Sequence, residues 1–89
     1  MAGYLLFATE RYALPILAPV AAALQAAGQS VATWFEGGAA GHALEGVPAI
    51  GLHQALAMHP RAVLSAANWV PTFVSGVKVQ LFHGFNVQK

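Results

Sequence analysis

The 89 residues leave room for one small domain, and 57% hydrophobic against 8% charged content excludes a disordered chain and a multidomain enzyme within this length. Four Lys plus Arg against three Asp plus Glu give a formal charge of +1, so no field steers the chain to nucleic acid or an anionic surface. Cysteine and aspartate are both absent, which removes disulfides, thiolate metal sites and thiol nucleophiles and leaves Glu10, Glu36 and Glu45 as the only side-chain carboxylates.

Residues 4–8 (YLLFA) form a continuous apolar run bounded by Gly3 and Thr9, the pattern of a strand buried on both faces. Thr9 is placed to cap a helix over residues 12–27, which is rich in Leu and Ala and ended by Gly28. Pro15 fits the first turn of that helix, whereas Pro19 predicts a kink or a later start. Residues 12–24 are the most apolar stretch, yet they fall short of the roughly twenty that a membrane-spanning helix requires. No basic region precedes them, as it would in a secretory signal.

Residues 30–35 (SVATWF) read as a second strand. Residues 36–46 follow, punctuated by Gly37, Gly38, Gly41 and Gly46, with a weak helical fragment expected around His42 and Leu44. Residues 47–51 read as a short strand or extended connection, and residues 53–59 as a short helix stopped by Pro60. A central strand is expected over residues 61–67, then a loop over residues 68–76 around Pro71 and Gly76. The last strand falls at residues 77–82 (VKVQLF), with His83 and Gly84 immediately after it. Strands alternating with helices at this spacing predict the α/β class: a small Rossmann-like three-layer unit with right-handed crossovers and a mostly parallel sheet of about four to five strands. No repeat, charge block or linker divides residues 1–89, so they are expected to form a single domain.

Ligands of open parallel sheets bind at the carboxyl ends of the strands. Thr9, Glu10 and Arg11 fall there after the first strand, Glu36 after the second, Asn68 and Trp69 after the central strand and His83 after the last. His83 is the sharpest catalytic candidate, because a neutral imidazole can take a proton from a hydroxyl and Gly84 would let a substrate approach the backbone. A hydrogen-bonded structural histidine is the plainer alternative. Thr9, Glu10, Arg11, Asn68 and Gly84 are the candidate substrate-binding residues, although solvation at the start of a helix also accounts for Glu10 and Arg11, and Glu10 suits the positive helix N-terminus.

Gly37, Gly38 and Gly41 could turn N–H groups around a phosphate, or could simply form a flexible turn. The dinucleotide fingerprint belongs after the first strand, where this chain has Thr9 and Glu10, so an NAD site is disfavoured and no cofactor is expected. His53 and His59 are six apart, off a common helical face, so no metal site is expected either. Trp34, Trp69, Phe73, Phe82 and Phe85 suit a core or an interface better than a base-stacking platform, given so few basic residues.

Residues 76–89, GVKVQLFHGFNVQK, resemble the segment around the His-Gly pair of the CDP-glycerol glycerophosphotransferase family of wall-polymer and capsule enzymes. Residues 4–35, YLLFATERYALPILAPVAAALQAAGQSVATWF, are similar to the opening of GT-B glycosyltransferases: a strand, a helix opening with a Leu-Pro pair, then a Gly before the next strand. The resemblance implies transfer of glycerol phosphate from a CDP-linked donor to a hydroxyl acceptor in cell-envelope polymer synthesis, such as teichoic acid-like polymers. It implies that His83 is the base acting on the acceptor, and it places the protein in the cytoplasm, peripheral at the inner face of the membrane. The family carries its donor site and a second histidine in a later domain. These residues are therefore expected to be the N-terminal, acceptor-side part of a larger transferase, inactive by themselves. Phe85 and Asn86 stand where the wall-polymer enzymes have Thr-Pro, which leaves the acceptor and the transferred group open. The competing expectation is a stand-alone α/β interaction module without catalytic activity, in which low charge and exposed aromatics form a homodimer or partner interface and His83 is structural.

Overall fold

The computed structural model describes residues 3–66, 71 and 74–81. Their four strands are β1 (Tyr4–Ala8), β2 (Val31–Phe35), β3 (Ala62–Ser65) and β4 (Val77–Gln80), and their two α-helices are α1 (Leu14–Ala26) and α2 (Leu52–Met58). All strand pairs are parallel and the sheet order is β2-β1-β3-β4. This is the α/β unit expected from the sequence. Its order reverses between β1 and β3: the chain steps outward from β1 to β2, then returns past β1 to lay down β3 and β4.

Side-chain alternation divides the core between the two faces of the sheet. On one face Leu6, Ala8 and Val31 pack with Leu17 and Ala21 of α1, backed by Leu14, Val20 and Leu24. The helix is therefore held by a stripe at three- and four-residue spacing. On the other face Leu5, Phe7, Ala32, Trp34 and Val63 pack with Ala55 of α2 and with Val74. Full burial of a side chain such as Leu5, Leu6 or Phe7 contributes about 1.5 to 3 kcal/mol, which is why the two-sided apolar run at β1 sits at the centre.

The entrance to α1 differs from the expected Thr9 cap. A short 3₁₀ turn (Arg11–Ala13) precedes the helix, Glu10 is its extended flanking residue, and no side chain caps either element. The Thr9 carbonyl is already engaged by the Ala39 N–H at 3.3 Å. Pro15 lies at the first helical turn, where its missing N–H costs nothing, and the helix continues through Pro19 to Ala26. The helical fragment expected around His42 and Leu44 is absent; the stretch holds instead a 3₁₀ turn at Gly37–Ala39, followed by turns and irregular backbone. Four glycines in this stretch make a longer helix costly.

Residues 48–50 extend along the outer edge of β2. Thr33 donates to the Pro48 carbonyl at 2.9 Å and accepts from the Ile50 N–H at 2.8 Å, so this edge is covered by a one-residue bridge at Ala49. The expected helix over residues 53–59 is α2, with the Gln54 side chain accepting the Gly51 N–H at its start. Among the described residues no helix is long and apolar enough to cross a membrane.

Candidate functional site

The carboxyl ends of β1, β2, β3 and β4 lie along one edge of the all-parallel sheet, and the chain leaves β1 there at Thr9, Glu10 and Arg11. The Glu36 N–H donates to the Ala8 carbonyl at 3.0 Å, and the turn after β2 then folds back over the turn after β1. The two 3₁₀ turns consequently touch, and Glu10, Arg11, Tyr12 and Gly38 line an open cleft of about 690 Å³.

Gly38 eases this approach. A Cβ at that position would lie 3.3 Å from Glu10 Oε1 and 3.4 Å from the Thr9 carbonyl oxygen, so the glycine lets the carboxylate rest against the chain. At Gly37 the backbone has φ +58°, and a Cβ would stand 3.0 Å from the same Thr9 oxygen. Gly37 and Gly38 are thus packed on Thr9 and Glu10, whereas Gly41 has open space around it. The Glu10 carboxylate lies beside Gly38, one of the three glycines that were candidates for a phosphate cradle.

Glu10, Arg11 and Tyr12 are all exposed. Neither the Glu10 carboxylate nor the Arg11 guanidinium has a hydrogen bond or ion pair among the described residues. One negative and one positive head thus stand free at one cleft, beside an aromatic ring. Glu36, also expected at a strand end, behaves differently: its carboxylate accepts the indole N–H of Trp34, whose ring is buried against Phe7. Among the described residues no three His, Cys, Asp or Glu side chains come together as a metal would require.

Of the candidate substrate-binding residues, the fold brings Thr9, Glu10 and Arg11 together at this edge. Asn68, Trp69, His83 and Gly84 lie outside the described residues. Tyr12 was not singled out from the sequence, where it reads as the first residue of a helix; its place directly after Glu10 and Arg11 is the signal that it lines the same cleft. Gly38 was legible as a glycine but not as the floor beneath Glu10.

A second concavity of about 430 Å³ lies at the start of β2, away from the carboxyl edge. Val31, Ala32, Pro48, Ile50, Ala57 and Met58 line it and its walls are mainly apolar. Compared with known protein families, curated proteins and solved structures, the chain matches none.

Proposed function

We propose that the chain forms the acceptor side of a transferase that moves glycerol phosphate, or a related group, from a CDP-linked donor to an acceptor hydroxyl. The observation that carries this reading is the common edge at which β1 and β4 run out. β1 ends at Ala8 and hands over to Thr9, Glu10 and Arg11; β4 ends at Gln80, and the chain continues through Leu81 towards His83 and Gly84. With β3 between them the two strands are two sheet spacings apart, about 10 Å, a distance that one small ligand can bridge. The resemblance of residues 76–89 to the His-Gly segment of the glycerophosphotransferases supplies the chemistry.

In this scheme a ring nitrogen of His83 takes the proton of the acceptor hydroxyl as its oxygen bonds to the donor phosphorus. The bond from that phosphorus to the bridging oxygen breaks, and cytidine monophosphate leaves. Glu10 and Arg11 bind and orient the acceptor, with Asn68 and Gly84 as further contacts. The reading carries with it a cytoplasmic protein, peripheral at the inner face of the membrane where such polymers are made.

The test follows the ring protons of His83 and the amides of Glu10, Arg11 and Gly38 by NMR while glycerol 3-phosphate, as the acceptor analogue, is added. The expected result is concerted movement of the His83 ring and the cleft amides, with the amides of α2 unmoved. A His83 ring that ignores the acceptor analogue overturns the reading.

An interaction module is the second reading, favoured by β4, the last strand in the described sheet, whose Val77 is 65% exposed and Val79 37%. Its homodimer form requires self-association. Sedimentation of the wild-type chain and Val79→Lys tests that form: a dimer dissolved by the lysine supports the module, and a monomer at all concentrations removes the homodimer.

A further inference from the structure

Glu10 and Arg11 are adjacent in sequence and opposite in charge, and they line the same cleft without pairing to each other. We propose that the cleft selects a small zwitterion, a ligand with an ammonium group for Glu10 and a phosphate or carboxylate for Arg11. The inference rests on this cleft being the acceptor site, but it departs from a polyol phosphate as the acceptor.

Charge arithmetic carries the proposal. A purely anionic ligand gains the attraction of Arg11 and meets the repulsion of Glu10, so the two contributions largely cancel; a purely cationic ligand meets the mirror-image balance. Only a ligand bearing both charges gains at both ends.

The geometry supports the same conclusion. Gly38 allows the Glu10 carboxylate to lie back against the backbone, 3.3 Å from where a Cβ would stand, instead of reaching across to Arg11. The negative pole is therefore seated at the cleft floor. Tyr12, 54% exposed, lines the same cleft. Both charged heads are solvent-exposed, so the selectivity is modest and depends on salt.

O-Phosphoethanolamine is the probe, with ethanolamine and glycerol 3-phosphate as its two half-charged controls. Each is titrated into the isotopically labelled chain at low salt, and the amides of Glu10, Arg11, Tyr12 and Gly38 and the His83 ring are followed. The zwitterion is expected to bind about threefold to fivefold more tightly than either control, as two exposed charge contacts allow. Glu10→Gln should erase the preference over glycerol 3-phosphate, and Arg11→Gln the preference over ethanolamine, with the remaining spectrum unchanged.

Glycerol 3-phosphate binding as tightly as the zwitterion while moving the His83 ring would overturn this inference and leave the glycerophosphotransferase reading standing. A zwitterion bound in the cleft, with glycerol 3-phosphate moving neither the cleft amides nor the His83 ring, would do the reverse. Ethanolamine alone matching O-phosphoethanolamine would remove Arg11 from the site and sink the proposal. Silence of all four amides towards every probe would remove both.

Discussion

The indole N–H of Trp34 donates to the carboxylate of Glu36 two residues further on, while the Trp34 ring leans against Phe7 with centroids 4.9 Å apart and planes tilted by 54°. The last buried residue on the α2 side of β2 is thereby tied to the first polar residue beyond the strand. Glu36 serves the core, and the cleft is left to Glu10 and Arg11.

Glu36→Ala should accordingly cost stability and leave the cleft intact. A part-buried N–H loses its charged acceptor, which is worth about 1.5 to 3 kcal/mol. Urea unfolding should show that loss, and the Trp34 indole proton should shift. An unchanged midpoint, or loss of ligand-induced shifts at Glu10 and Gly38 in the folded variant, would return Glu36 to the site.

Gly76 governs the start of β4. Its φ is +104°, and a Cβ there would collide with the Pro60 carbonyl and sit 3.1 Å from the carbonyl carbon and oxygen of Arg61. That Arg61 oxygen accepts the Val77 N–H at 3.0 Å, opening the β3–β4 ladder. Gly76→Ala is expected to destabilise the chain by about 2 kcal/mol or more, because the backbone must move away from both contacts. Hydrogen exchange should quicken first at Val77 and Leu81, whose N–H groups hold β4 to β3; uniform protection equal to wild type would contradict the collision.

His59 ends α2 in a left-handed conformation, φ 47° and ψ 66°, and its Nδ1 lies 3.1 Å from Ser75 Oγ. Two opposing effects meet here. The left-handed backbone costs a non-glycine residue about 1 kcal/mol, while one exposed hydrogen bond returns about 0.5 to 1 kcal/mol. His59→Gly should therefore be nearly neutral. His59→Val, which loses the bond and places a β-branched side chain at positive φ, should cost about 2 kcal/mol. Equal midpoints for the two variants in thermal unfolding would show that the backbone strain is not the deciding quantity.

The strands were the most legible part of the chain. Residues 4–8, 30–35, 61–67 and 77–82 each contain an observed strand. The first three are largely buried and stand out as apolar runs without periodicity, whereas β4 is mostly exposed and shows instead as Val77 and Val79 alternating with Lys78 and Gln80. Segments organised by tertiary contact were less legible. Thr9 has the side chain of a helix cap, but its carbonyl is held by Ala39, nearly a whole crossover away in sequence, and the helix begins through a 3₁₀ turn instead. Glu36 looked like a site residue because strand ends are where polar residues collect. The signal of its tie to Trp34 was present: Trp34 and Glu36 are two apart, so an extended backbone points them to the same side.

Half of the cleft was visible in Glu10 and Arg11, directly after β1. The other half was not, since nothing local says that Gly38 will return to lie under Glu10; that meeting depends on β1 and β2 being neighbours and ending level at Ala8 and Phe35. Gly38→Ala tests whether the meeting matters. The added methyl would stand 3.3 Å from Glu10 Oε1 and 3.4 Å from the Thr9 oxygen, closer than is comfortable yet short of a collision. The exposed Glu10 side chain is flexible and yields first, so stability should fall by less than about 1 kcal/mol. Ligand binding should respond more strongly, because the displaced carboxylate is the negative pole of the cleft. The outcome expected by NMR titration is a wild-type fold with a weakened preference for O-phosphoethanolamine over glycerol 3-phosphate. A variant that keeps the full preference would show that the carboxylate does not need its seat on Gly38, and one that unfolds would show that the turn after β2 is packed more tightly than 3.3 Å implies.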